Sequence, residues 1–273
     1  MDSPLTPGTQ DAIDCLYCGM EVDVILESSD GSRFGAHRKN LETYSEGFPP
    51  ASAVIQKSEE TSSEDAIVKM TENGKVIQLL LHFMHLRTQP DLRSISFDVL
   101  DALANAVEKY LVYSAMQICN FQMEAAIRDH PLEVLRYAVR NNYSEIANAA
   151  APLTISRDFE TIETTFGADS VIPYRWLRYS SNWMKVVAFI HETDPLPIKY
   201  KGSFHVCDSW NLFRDAVVRR VGVRPGALLD ITQIINEYKA WVPPCEKCRE
   251  RSQLWKTSIM SEIEKIPKFT TLL

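Results

Sequence analysis

Glycine is scarce, at 10 residues in 273. Loops that cradle phosphate with backbone N–H groups are built on glycine, and neither a Walker A loop nor a Gly-x-Gly-x-x-Gly run is present. No Gly-x-Ser-x-Gly elbow and no His-Glu-x-x-His helix occurs either. Enzymatic activity is therefore disfavoured. Long apolar runs are missing too, and none approaches the roughly 18 residues that a membrane span needs. Positive charge is in deficit, with a net charge of −7 and a pI near 5.5. That argues against the basic stripe by which proteins hold nucleic acid. The one basic cluster, Arg219, Arg220 and Arg224, reads as a solvated helix end. Met1 to Gln10 is polar, with no basic or apolar region of a signal peptide, so the expected compartment is cytoplasm or nucleus. There the six cysteines are expected as thiols rather than as a disulfide framework, and the Asn142-Tyr143-Ser144 acceptor should not be glycosylated. No repeat of fixed period is found.

What is present is concentrated between Glu21 and Phe48. Val22, Val24 and Leu26 alternate with Asp23, Ile25 and Glu27, which suits a short, largely buried strand. Ser28-Ser29-Asp30-Gly31 then supplies turn chemistry: Asp bonds its own backbone, and Gly accepts a positive φ. Arg33 to Ala36 return as a second strand. His37-Arg38-Lys39-Asn40-Leu41 opens a short helix that stops before Gly47. Phe48-Pro49-Pro50 cannot extend it, because proline disfavours helix in the residue before it.

Asp23, Ser29, Asp30, Gly31, Phe34, His37, Arg38, Leu41, Ser45 and Phe48 together resemble the opening of a BTB/POZ domain. There an Asp-hydrophobic strand leads through Ser-Asp-Gly to a second strand, then to His-basic-x-x-Leu and Ser-x-x-Phe. The phrases EKYLVYSAMQICNFQM, HPLEVLRYAVRNNYSEIANAAAPLT, CEKC and IPKFTTLL extend the likeness to BTB proteins of mushroom-forming (basidiomycete) fungi. The resemblance implies an α+β fold: a small sheet capped by helices, followed by an all-helical carboxyl-terminal region. It implies a tail at 1–19, a BTB/POZ domain at 20–129 and a helical region at 130–273. It implies protein–protein interaction, with homodimerisation through apolar surface near the first helix. In this chain that surface would be Val22, Val24, Leu41, Tyr44 and Phe48. Asp23 and the basic Arg38 would line a charged pocket beside it. Kelch, ankyrin and zinc-finger repeats, frequent companions of BTB domains, are not found. Some BTB domains serve as adaptors for cullin-type ubiquitin ligases through a hydrophobic-x-Glu motif after Ser-x-x-Phe. Here Pro49 to Glu60 is proline-marked and acidic and departs from that motif. A transcriptional co-regulator is a further alternative.

The rest of the chain reads as one more strand and then helices. Ser58 to Asp65 is an acidic loop, and Ala66 to Met70 a third strand. Val76, Leu79, Leu80, Phe83 and Met84 fall at helical spacing. Phe97 to Tyr110 gives a second helix capped by Ser94 or Ser96. Ser114 with Gln117 signals a capping box ahead of a third. Further helices follow around Leu132, Ile146, Trp176, Trp210, Leu228 and Trp255, with Tyr200 to His205 as a loop. The aromatics Trp176, Tyr179, Trp183, Trp210, Trp241 and Trp255 read as core at this spacing.

Cys245-x-x-Cys248 has zinc-knuckle spacing, at which two thiolates share one ion. His205 and Cys207 are the candidate remaining ligands; Cys15-x-x-Cys18 is the rival second pair, for an all-cysteine site. Unligated thiols are the alternative. His37 reads as a hydrogen-bonded residue fixing the strand-to-helix junction, and His82, His85, His130 and His191 stand singly.

Overall fold

A computed structural model describes residues 13–48, 67–167, 170–204, 207–239 and 245–273. The chain divides into two compact units, Met1–Ala126 and Ile127–Leu273, against an expected boundary after residue 129. The fold is α+β, with a small three-stranded sheet and many helices.

In the first unit β1 (Val24–Glu27) and β2 (Arg33–Ala36) form an antiparallel hairpin in which Glu27 pairs with Arg33. Gly31 at the tip has φ of 81°, a left-handed conformation that other residues adopt at a cost. Asp30 makes the turn specific. Its carboxylate accepts from Ser28 Oγ at 2.5 Å, from the Ser32 N–H at 3.2 Å and from the Gly74 N–H at 2.9 Å. The Ser-Asp-Gly turn is thereby fastened to the start of another helix.

α1 (Arg38–Tyr44) follows β2, and β3 (Ile67–Lys69) pairs parallel with β1, giving the order β2-β1-β3. α2 (Gly74–Phe83) starts at Asn73, whose side chain accepts from the Val76 N–H at 3.0 Å. It buries Val76, Ile77, Leu80, Leu81 and Phe83, each contributing about 1.5–3 kcal/mol of apolar transfer. α3 (Phe97–Tyr110) and α4 (Tyr113–Ala125) complete the unit. α3 begins after Ser96, as expected, but without a side-chain cap bond. α4 begins after Val112, so Ser114 lies inside the helix and makes no capping box; its hydroxyl reaches the Phe83 carbonyl instead, at 3.4 Å.

Met1 to Gln10 lies outside the described residues; the described part of the 1–19 tail packs on the rest of its unit. Ile13 to Met20 forms no helix or strand, yet it lies against the hairpin: a Cβ on Gly35 would sit 2.8 Å from the Ile13 carbonyl oxygen. Tyr17 donates to the Gln78 carbonyl at 2.7 Å and stacks on His82 at 4.9 Å.

The second unit is built from α5 (Pro131–Arg140), α6 (Ser144–Thr154), α7 (Phe159–Phe166), α8 (Ile172–Glu192), α9 (Asp208–Val221), α10 (Ile231–Tyr238) and α11 (Glu246–Glu264). Trp176, Tyr179, Trp183, Trp210 and Trp255 are all buried, which makes the aromatic series core; Trp241 lies outside the described residues. Trp210, Phe213 and Trp255 form an aromatic cluster with centroids 5.6–6.2 Å apart. Arg251 lies over Trp210 at 4.2 Å and donates to Asp194 at 2.9 Å. The expected loop at 200–205 holds a two-stranded hairpin, β4 (Lys199–Tyr200) and β5 (Ser203–Phe204). Among the described residues no helix is long and apolar enough to cross a membrane.

Candidate metal centres

The first unit gathers Cys15, Cys18, His37 and His85 so that one ligand atom from each lies within 4.8 Å of every other. Three pieces of chain that are remote in sequence supply them. Cys15 and Cys18 come from the amino-terminal segment. His37 sits between β2 and α1, and His85 just past α2. The Cys15 and Cys18 sulfurs are 3.7 Å apart. Cys18 Sγ lies 3.0 Å from His37 Nε2, and Cys15 Sγ 3.3 Å from His85 Nε2.

The imidazoles are oriented from behind. His37 Nδ1 lies 2.9 Å from the Glu21 carbonyl oxygen, and His85 Nδ1 lies 2.6 Å from that of Leu81. A carbonyl has no proton to give, so each Nδ1 is the donor. In a neutral ring the other nitrogen then carries a lone pair, and in both residues it faces sulfur. Burial lowers the His85 pKa, favouring that neutral ring, although the Leu81 bond opposes it. Burial raises Cys15, since the thiolate loses water.

The second unit gathers Cys207, Cys245 and Cys248 in the same way. Cys207 precedes α9, Cys245 precedes α11, and Cys248 lies in the first turn of α11. Helix starts direct unpaired N–H groups outward and favour thiolate. Cys207 is accordingly held below its ordinary pKa: burial pushes up, but hydrogen bonds from Cys248 and from the Ser209 and Trp210 N–H groups outweigh it. Cys248 is pushed up to about 12, first by burial and then by its bonds to Cys207 and Cys245. A divalent cation would reverse that second shift, because thiolates ligate as anions.

Both clusters could hold a metal ion. Three of the four ligands expected for the helical unit therefore come together. The fourth, His205, lies outside the described residues. Cys15 and Cys18 do not complete that set; they join His37 and His85 instead. His85, which stands alone in the sequence, is the ligand that sequence reasoning missed. A histidine two residues past an amphipathic helix was its only signal.

The other expected site residues fall differently. Val24, Leu41 and Phe48 are buried in the first unit's own core, and Phe48 stacks on Tyr110 at 4.5 Å. Only Val22 and Tyr44 are half-exposed, so this face has little apolar surface left for a partner. Asp23, expected with Arg38 to line a charged pocket, is exposed and meets Arg38 through backbone groups rather than by pairing its charge with the guanidinium. Its carboxylate accepts from the Arg38 backbone N–H at 2.8 Å, and the Arg38 Nε donates to the Asp23 carbonyl at 3.2 Å. Asp23 thus caps α1. Compared with models of known protein families and with curated proteins, the chain matches none.

Proposed function

We propose that this chain is a protein-interaction module, a BTB/POZ-type unit followed by a helical unit, with no reaction of its own. The β2-β1-β3 order, the short helix after the hairpin and the three helices after β3 accord with the BTB reading. So do the bonds that give Asp23, Asp30 and Gly31 structural work.

The observation that carries an interaction role lies on α8. Its inner face buries Trp176, Tyr179, Trp183, Val187 and Ile190. Tyr174, Leu177 and Met184, on the opposite face, are exposed. An amphipathic helix of a self-contained protein turns polar side chains outward, and exposed apolar clusters mark association surfaces. The partner is a second copy of the chain, since one helix face can pair with itself across a two-fold axis. The three cysteines of the helical unit would fill three of the four positions of a zinc ion that ties the starts of α9 and α11. The segment bearing on cullin binding, 49–60, lies outside the described residues, and that role has no observation in its favour.

Light scattering at micromolar protein tests the reading. The expected mass is twice the 31.1 kDa of one chain. Tyr174→Glu with Leu177→Glu, both exposed, should return the monomer while leaving helical content unchanged. A parent protein that runs as a monomer, or a charged variant that stays dimeric, overturns the assignment of this face.

A further inference from the structure

We infer that Cys15, Cys18, His37 and His85 form a structural zinc site that clasps the amino-terminal segment to the rest of its unit. The site stands whether or not the chain pairs with a second copy.

Geometry carries it. Tetrahedral zinc takes sulfur at about 2.3 Å and imidazole nitrogen at about 2.0–2.1 Å, so two bound sulfurs stand about 3.8 Å apart and a sulfur and nitrogen about 3.5 Å. The observed separations are 3.7 Å between sulfurs and 3.0 and 3.3 Å between sulfur and nitrogen. Cys-x-x-Cys is the spacing at which two thiolates share one ion. Both Nδ1 atoms bond backbone carbonyls, the outer-shell contact by which proteins hold a metal-binding imidazole in its tautomer and orientation.

Charge agrees with geometry. Two thiolates, two neutral imidazoles and one divalent cation sum to zero, which suits a site whose histidines are buried and whose cysteines are half-buried. All four tetrahedral positions are filled by protein, so no place remains for water or substrate. That is the mark of a structural rather than a catalytic site.

The consequence is mechanical. Ile13 to Met20 has no regular structure to hold it in place. The ion would join it to the junction between β2 and α1 through His37, and to the end of α2 through His85. Leu16 and Met20 remain exposed on that segment, so the clasp holds it from its cysteines rather than by burying its apolar side chains.

The full chain carrying Cys245→Ser and Cys248→Ser, purified with reductant and without chelator, isolates this site from the second cluster. It should retain about one equivalent of zinc. Replacing that ion with Co(II) should give the visible d–d absorption of a tetrahedral site with mixed sulfur and nitrogen ligands. Adding Cys15→Ser and Cys18→Ser should abolish both signals. These two side chains lie outside the hydrophobic core, so circular dichroism should show the fold retained. Chelation of the isolated site should also speed chymotryptic cleavage after Leu16 or Tyr17. Zinc absent from the first variant, or retained in the second, overturns the site. Cleavage indifferent to chelator overturns the clasp.

Discussion

At the scale of single residues, Asp30 shows how a polar side chain specifies a turn. Bonds from Ser28 first, then from the Gly74 N–H and Ser32, hold its carboxyl well below the usual carboxylate range. A group whose pKa falls on folding stabilises the native state above its unfolded value of about 3.9, and that contribution is lost as pH falls through the folded value. Asp30→Asn should therefore lower the thermal midpoint at neutral pH by a few degrees. The gap from the parent should narrow as the pH is taken below about 4, which a series of melts followed by circular dichroism would read. Asp30 and Gly31 were legible as a turn because their preferences are local. The bond from Asp30 to Gly74 was not, since nothing in either residue announces a partner so far along the chain. His85 was hidden for the same reason. Its neighbours in sequence lie on α2, and its neighbours in space come from the opposite end of the unit.

At the scale of elements, the apolar periodicity located the helices and most of their buried faces, except α7 (Phe159–Phe166), whose short apolar pattern was not picked out. α9 buries Trp210, Phe213, Val217 and Val221, the residues that the spacing selects. Periodicity says that a face is apolar without saying what covers it. The BTB resemblance placed Leu41 and Phe48 at a partner surface, and they lie in the unit's own core, whereas the outer face of α8 escaped notice among its many aromatics. Gly47 illustrates a second limit. The sequence presents it as a helix stop. The structure gives it a packing role: a Cβ there would lie 2.5 Å from Tyr110 Cα and 2.7 Å from the Lys109 carbonyl oxygen. Backbone cannot yield as a flexible side chain can. Gly47→Ala should cost about 1–3 kcal/mol, as overpacking does, and urea denaturation would show it as a lower midpoint with an unchanged slope.

At the scale of the whole molecule, each unit has its own core. Tyr137, Trp210, Phe213, Trp255 and Phe269 are fully buried in the second, and residues 127–273 are long enough to bury such a core alone. That fragment, expressed by itself, should keep a helical spectrum and a single cooperative thermal transition. A broad, sloping melt would show that it depends on the first unit. The BTB resemblance puts the seam after residue 129, close to the division at Ala126; the change from strands to helices falls earlier, at Gly74 inside the first unit, and does not mark it. The exact seam depended on how α4 ends, which propensity fixes only loosely.

The sheet has a consequence for how copies or partners can meet. β1 is saturated on both sides, and the outer strands, β2 and β3, offer only four and three residues. Outer strands this brief give an incoming extended peptide few backbone donors and acceptors to zip against. On the described strands, amyloid-like templating therefore has little backbone to grip.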